Sequence, residues 1–425
     1  MACPYAMQMH DALPEPTVDV LVAGAGLNGL TAALLLARAG ATVAVADPSP
    51  AETLAHPDYD WRTTAVAQGA MRLLKDVGAW DAAWRDGAIR DIRIVDGASP
   101  LFLHYDGAAL GEGDLGCIVP NASLRARLYA AAAAHPAIRL YLGTGIDRFE
   151  SGAAAVDAGL ADGRAIRARL LIGADGRNSP TRIAAGIPER TIDYKQTSIV
   201  ATAAHERPHR GVALERFLPG GPFAVLPLPD AADRDAAPWP HRSSIVWTDA
   251  APLAAHLLGL DRPDFDRELA RRFGDHCGQV RSIGPIGAFP IKLVLALRMT
   301  GRRLALIGDA ARAIHPIAGQ GFNLGLRDSA ELADAIGRQL ALGLDPGAPD
   351  LLARYQAARL ADAASLVAAT DGVNRLFSTD FRPARHARRL GLAAVQATPP
   401  LKRLFMRHAM GLAGRAATLA GKTPV

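Results

Sequence analysis

The sequence predicts an α/β protein: a doubly wound, Rossmann-like sheet, an inserted antiparallel β-sheet, and C-terminal helices. Three observations predict it. Residues 18–47 read as strand, glycine-rich turn, helix and strand. From about 187 to 300 the pattern changes to short β-type runs punctuated by Pro and Gly. From Gly321 onward it is helical. At 425 residues there is room for two or three such units.

Each element follows from its local pattern. Val18–Ala23 (VDVLVA) is a continuous apolar run of strand length. Gly24-Ala25-Gly26-Leu27-Asn28-Gly29 follows, and Leu30–Ala39 is a strong helix former ended by Gly40. Thr42–Ala46 is a second buried strand with Asp47 at its end. This βαβ unit is the signature of a doubly wound sheet. Residues 121–135 form an Ala-rich amphipathic helix, and Leu170–Ala174 is a strand that runs into Asp175-Gly176. Ser198–Ala203, Phe223–Leu228 and Ser244–Trp247 read as strands, with Asp230–His241 as a polar surface connection. Leu304–Ile307 is another buried strand. Helices are expected from Gly321 to about Leu342 and, after a Gly/Pro linker, from Leu351 to about Asp371. Residues 1–16 read as a flexible leader. The expected organisation is a dinucleotide-binding body from 17–80, 121–186 and 301–371. Substrate-side segments lie at 81–120 and 187–300, and a basic helical tail at 372–425.

Charge and cysteine usage exclude several classes. The formal charge is +5, which read globally would suggest a polyanionic partner. The excess is local, however: Arg375–Val425 holds ten Lys/Arg and one acid, Asp380. The rest of the chain is mildly acidic and carries no recognition motif, so no nucleic-acid partner is expected. Cys3, Cys117 and Cys277 form no CxxC or Cys/His cluster, which argues against a disulfide framework or metal site and fits a reducing cytoplasm. The first twenty residues lack the pattern of a signal peptide. No uninterrupted apolar run reaches the roughly 18 residues of a membrane span.

The Gly24-x-Gly26-x-x-Gly29 pattern lies between a strand and a helix, the context that gives it meaning. Gly24 permits the tight turn, Gly26 lets backbone approach a pyrophosphate, and Gly29 lets the helix pack on the sheet. Free N–H groups at the helix start then face the phosphates. Asp47, 18 residues beyond Gly29, can accept from a ribose hydroxyl and repels a 2′-phosphate. FAD or NAD is therefore favoured over NADP in this crevice. Two further segments bear on that choice: Gly173–Arg182 (GADGRNSPTR) and Gly308–Asp328 (GDAARAIHPIAGQGFNLGLRD). A Gly-Asp pair after a buried strand suits a ribityl hydroxyl. Gly319–Gly321 precedes a helix, so its N–H groups can face a flavin edge that gains negative charge on reduction.

With these segments, Ala213–Leu228 (ALERFLPGGPFAVLPL), Ser243–Thr248 (SSIVWT), Tyr355-x3-Arg359-x2-Asp362 and Thr370–Ser378 (TDGVNRLFS), the chain resembles the class A FAD-dependent aromatic hydroxylases. It is most similar to their ubiquinone-biosynthesis branch, the polyprenylphenol hydroxylases, over residues 17–415. The resemblance implies an FAD-dependent monooxygenase. NADPH or NADH reduces the flavin, O2 is co-substrate, and a flavin C4a-hydroperoxide hydroxylates a polyprenylated phenol or quinone precursor. It implies that Asp309 binds the ribityl chain and that Gly319, Gln320, Gly321 and Asn323 line the isoalloxazine. Arg62 would sit near the ring, Arg125 near the pyrophosphate or ribityl, and Asp175 and Gly176 in a segment shared by FAD and NAD(P)H.

His315 and Pro316 are the catalytic candidates, the histidine as a base or as a structural turn residue. Arg216, Phe217, Pro227 and Trp247 are expected on the substrate side, with burial in the inserted sheet the competing reading for Phe217 and Trp247. Tyr355, Arg359 and Asp362 share a helical face and read as a structural ion-pair set. Two departures from the family stand out: Asp47 replaces its usual Glu, and Arg312 replaces a His. The tail interleaves bases with large apolar residues (Leu401–Arg407, LKRLFMR), which suits either an anionic inner-membrane surface or packing on the body or a partner subunit. A quinone-biosynthesis complex and an oligomer are further possible partners. An unprenylated phenol as substrate, or a non-catalytic scaffold, remains the alternative.

Overall fold

The computed structural model describes residues 18–410 except 57–59, 98, 100–101, 111–112, 232–237 and 378–381. The expected leader and the last basic residues, Arg415 and Lys422, lie outside the described residues. The chain starts with β1 (Val18–Ala23), α1 (Leu27–Arg38), β2 (Val43–Asp47) and a short α2 (Ala51–Ala55). It continues through β3 (Thr63–Ala67), α3 (Gln68–Asp76), β4 (Ala88–Ile89), β5 (Asp91–Asp96), β6 (Phe102–Asp106), β7 (Gly116–Pro120) and α4 (Asn121–Ala134). Next come β8 (Ile138–Leu142), β9 (Ile146–Ser151), β10 (Val156–Leu160), β11 (Ala165–Gly173) and α5 (Pro180–Ala184). A second region holds β12 (Glu189–His205), β13 (Val212–Leu218), β14 (Gly221–Leu228), β15 (His241–Ala250), α6 (Ala251–Leu258), α7 (Arg262–Phe273) and β16 (Val280–Ala296). β17 (Thr300–Gly301), β18 (Leu304–Leu306) and β19 (Arg312–Ala313) precede four helices: α8 (Gln320–Ala341), α9 (Pro349–Phe377), α10 (Arg382–Ala397) and α11 (Pro399–Ala409).

The first sheet has the order β17-β18-β11-β1-β2-β8, with β10 and β9 folded back beside β11. Its central pairs, β18/β11, β11/β1, β1/β2 and β2/β8, are parallel. Val20, Leu21 and Val22 of β1 are wholly buried, because helices cover both faces of a parallel sheet. That is why these strands read as continuous apolar runs.

The second sheet has the order β19-β16-β12-β15-β14-β13-β5-β6. It is antiparallel except where β13 pairs with β5. Strands β5 and β6 thus carry part of segment 81–120 into this sheet, while β7 pairs with β3 on one side and β4 on the other in a separate three-stranded one. The region from 187 to 300 also holds α6 and α7, which the strand pattern did not suggest. Asp261 caps α7 by accepting from the Asp264 N–H at 2.8 Å, and Phe265, Leu269 and Phe273 recur at four-residue spacing. They pack with Phe223, Val225 and Trp247 on one face of the sheet.

A buried ion-pair network joins α8 and α9 to β19. Asp328 is fully buried. Its carboxylate accepts from Arg359 Nε at 2.7 Å, from Arg312 and from the Gly308 N–H at 3.1 Å. Asp362 bonds Arg327 and Arg359, and the Tyr355 hydroxyl donates to the Leu306 carbonyl at 2.9 Å. Removing one partner of such a set leaves buried charge uncompensated, which costs about 3–5 kcal/mol. Asp328→Ala should therefore lower unfolding stability by that amount in urea titrations. Asp350→Asn, at the exposed start of α9, should leave the midpoint unchanged within error.

Candidate active site

A cavity of about 380 Å³ lies between the antiparallel sheet, β3 and the segment that leads into α8. Its polar wall includes Arg62, Arg177, Asp309, Gly319–Gly321 and Asn323. The antiparallel sheet contributes apolar side chains such as Ile92, Ile94, Ala224 and Leu226, and α11 and the residue after it add Met406 and Met410.

The glycine turn is built by exclusion. Gly24 has φ +105°, and a Cβ there would lie 2.7 Å from the Ala174 carbonyl oxygen. A Cβ on Gly29 would lie 1.9 Å from the Gly24 oxygen, so any side chain would push α1 off β1. Gly26 has open space on that side. No side chain caps the start of α1 and no acid stands in its first turn, so its N–H groups face that space without a protein acceptor. The Asp47 carboxylate accepts from Ala25 N–H at 2.6 Å and Ser49 N–H at 2.7 Å. It therefore orients the turn and keeps further lone pairs for a ligand.

The Gly308–Ala310 turn is held from both sides. Asp328 takes the Gly308 N–H, and Arg182 donates to the Ala310 carbonyl at 2.8 Å. Gly308 sits at φ +57°, where a Cβ would meet the Asn28 side chain at 2.5 Å. Asp309 is left pointing to the cavity. Burial raises its pKa, and Arg177, Arg62 and Arg312 partly counter this. Asn323 then clamps β3 to the start of α8: it accepts from Ala67 N–H at 2.8 Å and donates to the carbonyls of Ala65 at 2.8 Å and Gly319 at 3.0 Å. Gly319 is left-handed at φ +59°, and this helix start too lacks a side-chain cap and a first-turn acid. Gln320 is buried beside it, and the space next to Gly321 is open.

The other expected cofactor residues divide between the cavity and its surroundings. Arg62 lines the cavity, bonded to Asp60 at 2.7 and 2.8 Å and lying over Phe289. Burial opposes the Asp60 charge, but Arg62 and Asn121 outweigh it and hold that carboxyl below its usual pKa. Arg125, one turn after the cavity-lining Asn121, is buried and donates to the Leu54 carbonyl at 3.0 Å. Asp175 accepts from Ser179 and from Thr181 N–H at 2.8 Å, so it secures the start of α5. With Gly176, at φ +84°, it belongs to the segment that packs on Gly24.

The catalytic and substrate-side candidates fall partly outside the cavity lining. His315 is outside the cavity wall, although Pro316 is in it. The imidazole is buried; its Nδ1 accepts from Ile317 N–H at 3.3 Å and its ring meets Tyr194 edge-on. Burial pushes its pKa down to about 4 against the pull of Asp371. In this position the imidazole is neutral near pH 7 and closes a turn. Arg216, Phe217, Pro227 and Trp247 do not line the cavity either. Trp247 faces α7, Arg216 donates to the Arg272 carbonyl at 3.0 Å, Phe217 meets the Phe377 ring at a tilt, and Pro227 is buried in β14. Glu215, Leu226, Val246 and Thr248, the neighbours of Arg216, Pro227 and Trp247, line it instead, because adjacent strand residues face opposite sides; Phe217 is on the cavity side, in one apolar cluster with Tyr105, Ile317, Met406 and Met410. Tyr105, on β6, was missed. It lines the cavity, and burial pushes its pKa up to about 12, so the hydroxyl keeps its proton. Arg182 and Asp328 stood in quoted motifs, but their role needs long-range pairing that spacing does not reveal.

These features fit FAD. Two uncapped helix starts, the open flanks of Gly26 and Gly321, and a cavity-facing Asp309 supply donors and acceptors suited to a pyrophosphate, a flavin ring and a ribityl chain.

Residues 17–370 match the FAD binding domain family. The chain is 48% identical to the ubiquinone hydroxylase UbiL of Rhodospirillum rubrum, over 93% of this chain and 90% of that protein. It is 33% identical to the 3-demethoxyubiquinol 3-hydroxylase of Escherichia coli, over 94% and 99%. The solved structure of the p-nitrophenol 4-monooxygenase PnpA from Pseudomonas putida superposes with a TM-score of 0.74 at 18% identity, over 93% and 98%, and shares the fold. The chain is an FAD-dependent hydroxylase and belongs to the flavin monooxygenase family that includes the ubiquinone-biosynthesis hydroxylases.

Proposed function

We propose that this enzyme hydroxylates the ring of a polyprenylated phenol or quinol precursor of ubiquinone, taking electrons from NAD(P)H and one oxygen atom from O2. The observation that carries the reading is one cavity shared by the Asp309 and Gly319–Gly321 turns and an apolar wall. The names of the similar hydroxylases support a quinone precursor as the target, and an apolar wall that includes two methionines suits a ring with a hydrocarbon tail.

When bound, FAD supplies the electron-transfer and oxygen-transfer chemistry. The chain supplies placement. The start of α1 would hold the pyrophosphate, Asp47 the adenosine ribose and Asp309 a ribityl hydroxyl. The N–H groups at the start of α8 would face the ring edge where negative charge develops on reduction. Arg62 and Arg177 add positive potential to the same cavity. The apolar side chains exclude water from the reacting ring. Tyr105, protonated throughout the neutral range, would donate a hydrogen bond to a ring oxygen of the substrate and so orient it.

Gly29→Ala should yield a colourless protein, because its Cβ has no room. Asp309→Ala should weaken FAD binding about 10- to 100-fold, the equivalent of one charge-assisted hydrogen bond, in fluorescence titration. Tyr105→Phe should keep its flavin but lose about 3- to 10-fold in kcat/KM for the phenol. An unchanged kcat/KM would remove Tyr105 from the substrate site. Deleting the gene should accumulate a precursor short of one ring hydroxyl, identified by mass spectrometry. Unaltered ubiquinone would contradict the proposed substrate.

A further inference from the structure

Helix α11 is apolar on two opposite faces. At about 100° per residue, Met406 and Met410 lie close together on one side, and both are buried against the cavity. The Met410 carbonyl accepts from Gly69 N–H at 3.0 Å, fastening the end of the helix to α3. The opposite side carries Leu401, Leu404 and Phe405, exposed at 38%, 53% and 44%. Between the two faces stand Lys402, half-buried, and Arg403 and Arg407, both exposed. A helix that buries one apolar stripe should show a polar face outward; this one does not.

We propose that the outer face of α11 seats on an anionic lipid surface. Charge selects that occupant. From Phe381 to Val425 the sequence has nine Lys/Arg and no acid. A second copy meeting this face through a two-fold axis would set Arg403 and Arg407 against the same cations. A leaflet with negative headgroups offers the opposite charge and an apolar layer at the depth that Leu404 and Phe405 reach. Among the described residues no helix is long and apolar enough to cross a membrane, so the contact is with the surface. The docking surface stands on the residues of α11 alone. Its use rests on the prenylated-substrate reading above: the helix that meets the lipid on one side walls the cavity on the other, so a membrane-borne substrate has one helix to pass.

Co-sedimentation of the full-length holoenzyme with vesicles tests this. Phosphatidylglycerol–phosphatidylcholine vesicles should retain the protein, pure phosphatidylcholine should not, and about 0.5 M salt should release it. The double variant Leu404→Ser/Phe405→Ser should bind at least about tenfold more weakly. It should keep its flavin and its NAD(P)H consumption with a water-soluble phenol. Arg403→Glu/Arg407→Glu, which leaves the apolar face intact, should also lose binding. Equal binding to both vesicle types, or a serine variant that binds like the parent, would overturn the proposal. So would a parent protein that is dimeric by light scattering and becomes monomeric on that substitution. Failure to oxidise NAD(P)H with any phenol would instead contradict the catalytic reading and leave the vesicle result standing.

Discussion

The Gly308–Ala310 turn is short and packs only the small Ala310 methyl, so its position depends largely on what grips its backbone. Asp328 grips one side through the Gly308 N–H, and Arg182 grips the other through the Ala310 carbonyl. Asp328 is in turn gripped by Arg312 and Arg359. The turn is thereby tied to β19, α8, α9 and the segment after β11. Asp309 points into the cavity because its two neighbours have no freedom to move. In a low-dielectric interior such a set is stable only when every charge is partnered, so the arrangement is specific as well as rigid.

The remainder of the site follows from that anchor. Asn323 fixes the start of α8 against β3, and Gly319 turns the chain so that the helix begins facing the cavity. The polar wall is therefore made of backbone and of side chains held by other side chains. The opposite wall is a sheet surface joined by Met406 and Met410, built mostly from apolar side chains. A rigid polar wall suits a cofactor that must be placed within fractions of an ångström, and a pliable wall of methionine and leucine suits a long hydrocarbon substrate. Arg312 belongs to the first wall. Its guanidinium is bonded to Asp328 and Met299, a structural post behind the turn.

What could be read from the sequence divides along physical lines. The turn at Gly24–Gly29 was legible because backbone sterics and uncapped helix donors are local. The strands β1, β2, β11 and β18 were legible because burial on both faces leaves an unbroken apolar run. The face of each strand in the second sheet was not legible. Trp247 reads from the sequence as either substrate-side or buried in the sheet; Val246 and Thr248 line the cavity, since a shift of one residue exchanges the faces and nothing local declares which is which. His315 stood in the right segment but turned the other way, because its Nδ1 closes a turn onto Ile317. The basic tail was visible as composition. Its inner methionines became part of the cavity only when the chain was folded around them.

The central claim is that one cavity brings a flavin and a prenylated ring together for oxygen insertion. It is tested most directly by single-turnover mass spectrometry of the holoenzyme with NAD(P)H, a short-chain prenylated phenol and oxygen-18 gas. The account predicts a hydroxylated ring carrying one heavy oxygen atom, with the second recovered in water. NAD(P)H consumption that yields only hydrogen peroxide and returns the phenol unlabelled would contradict it.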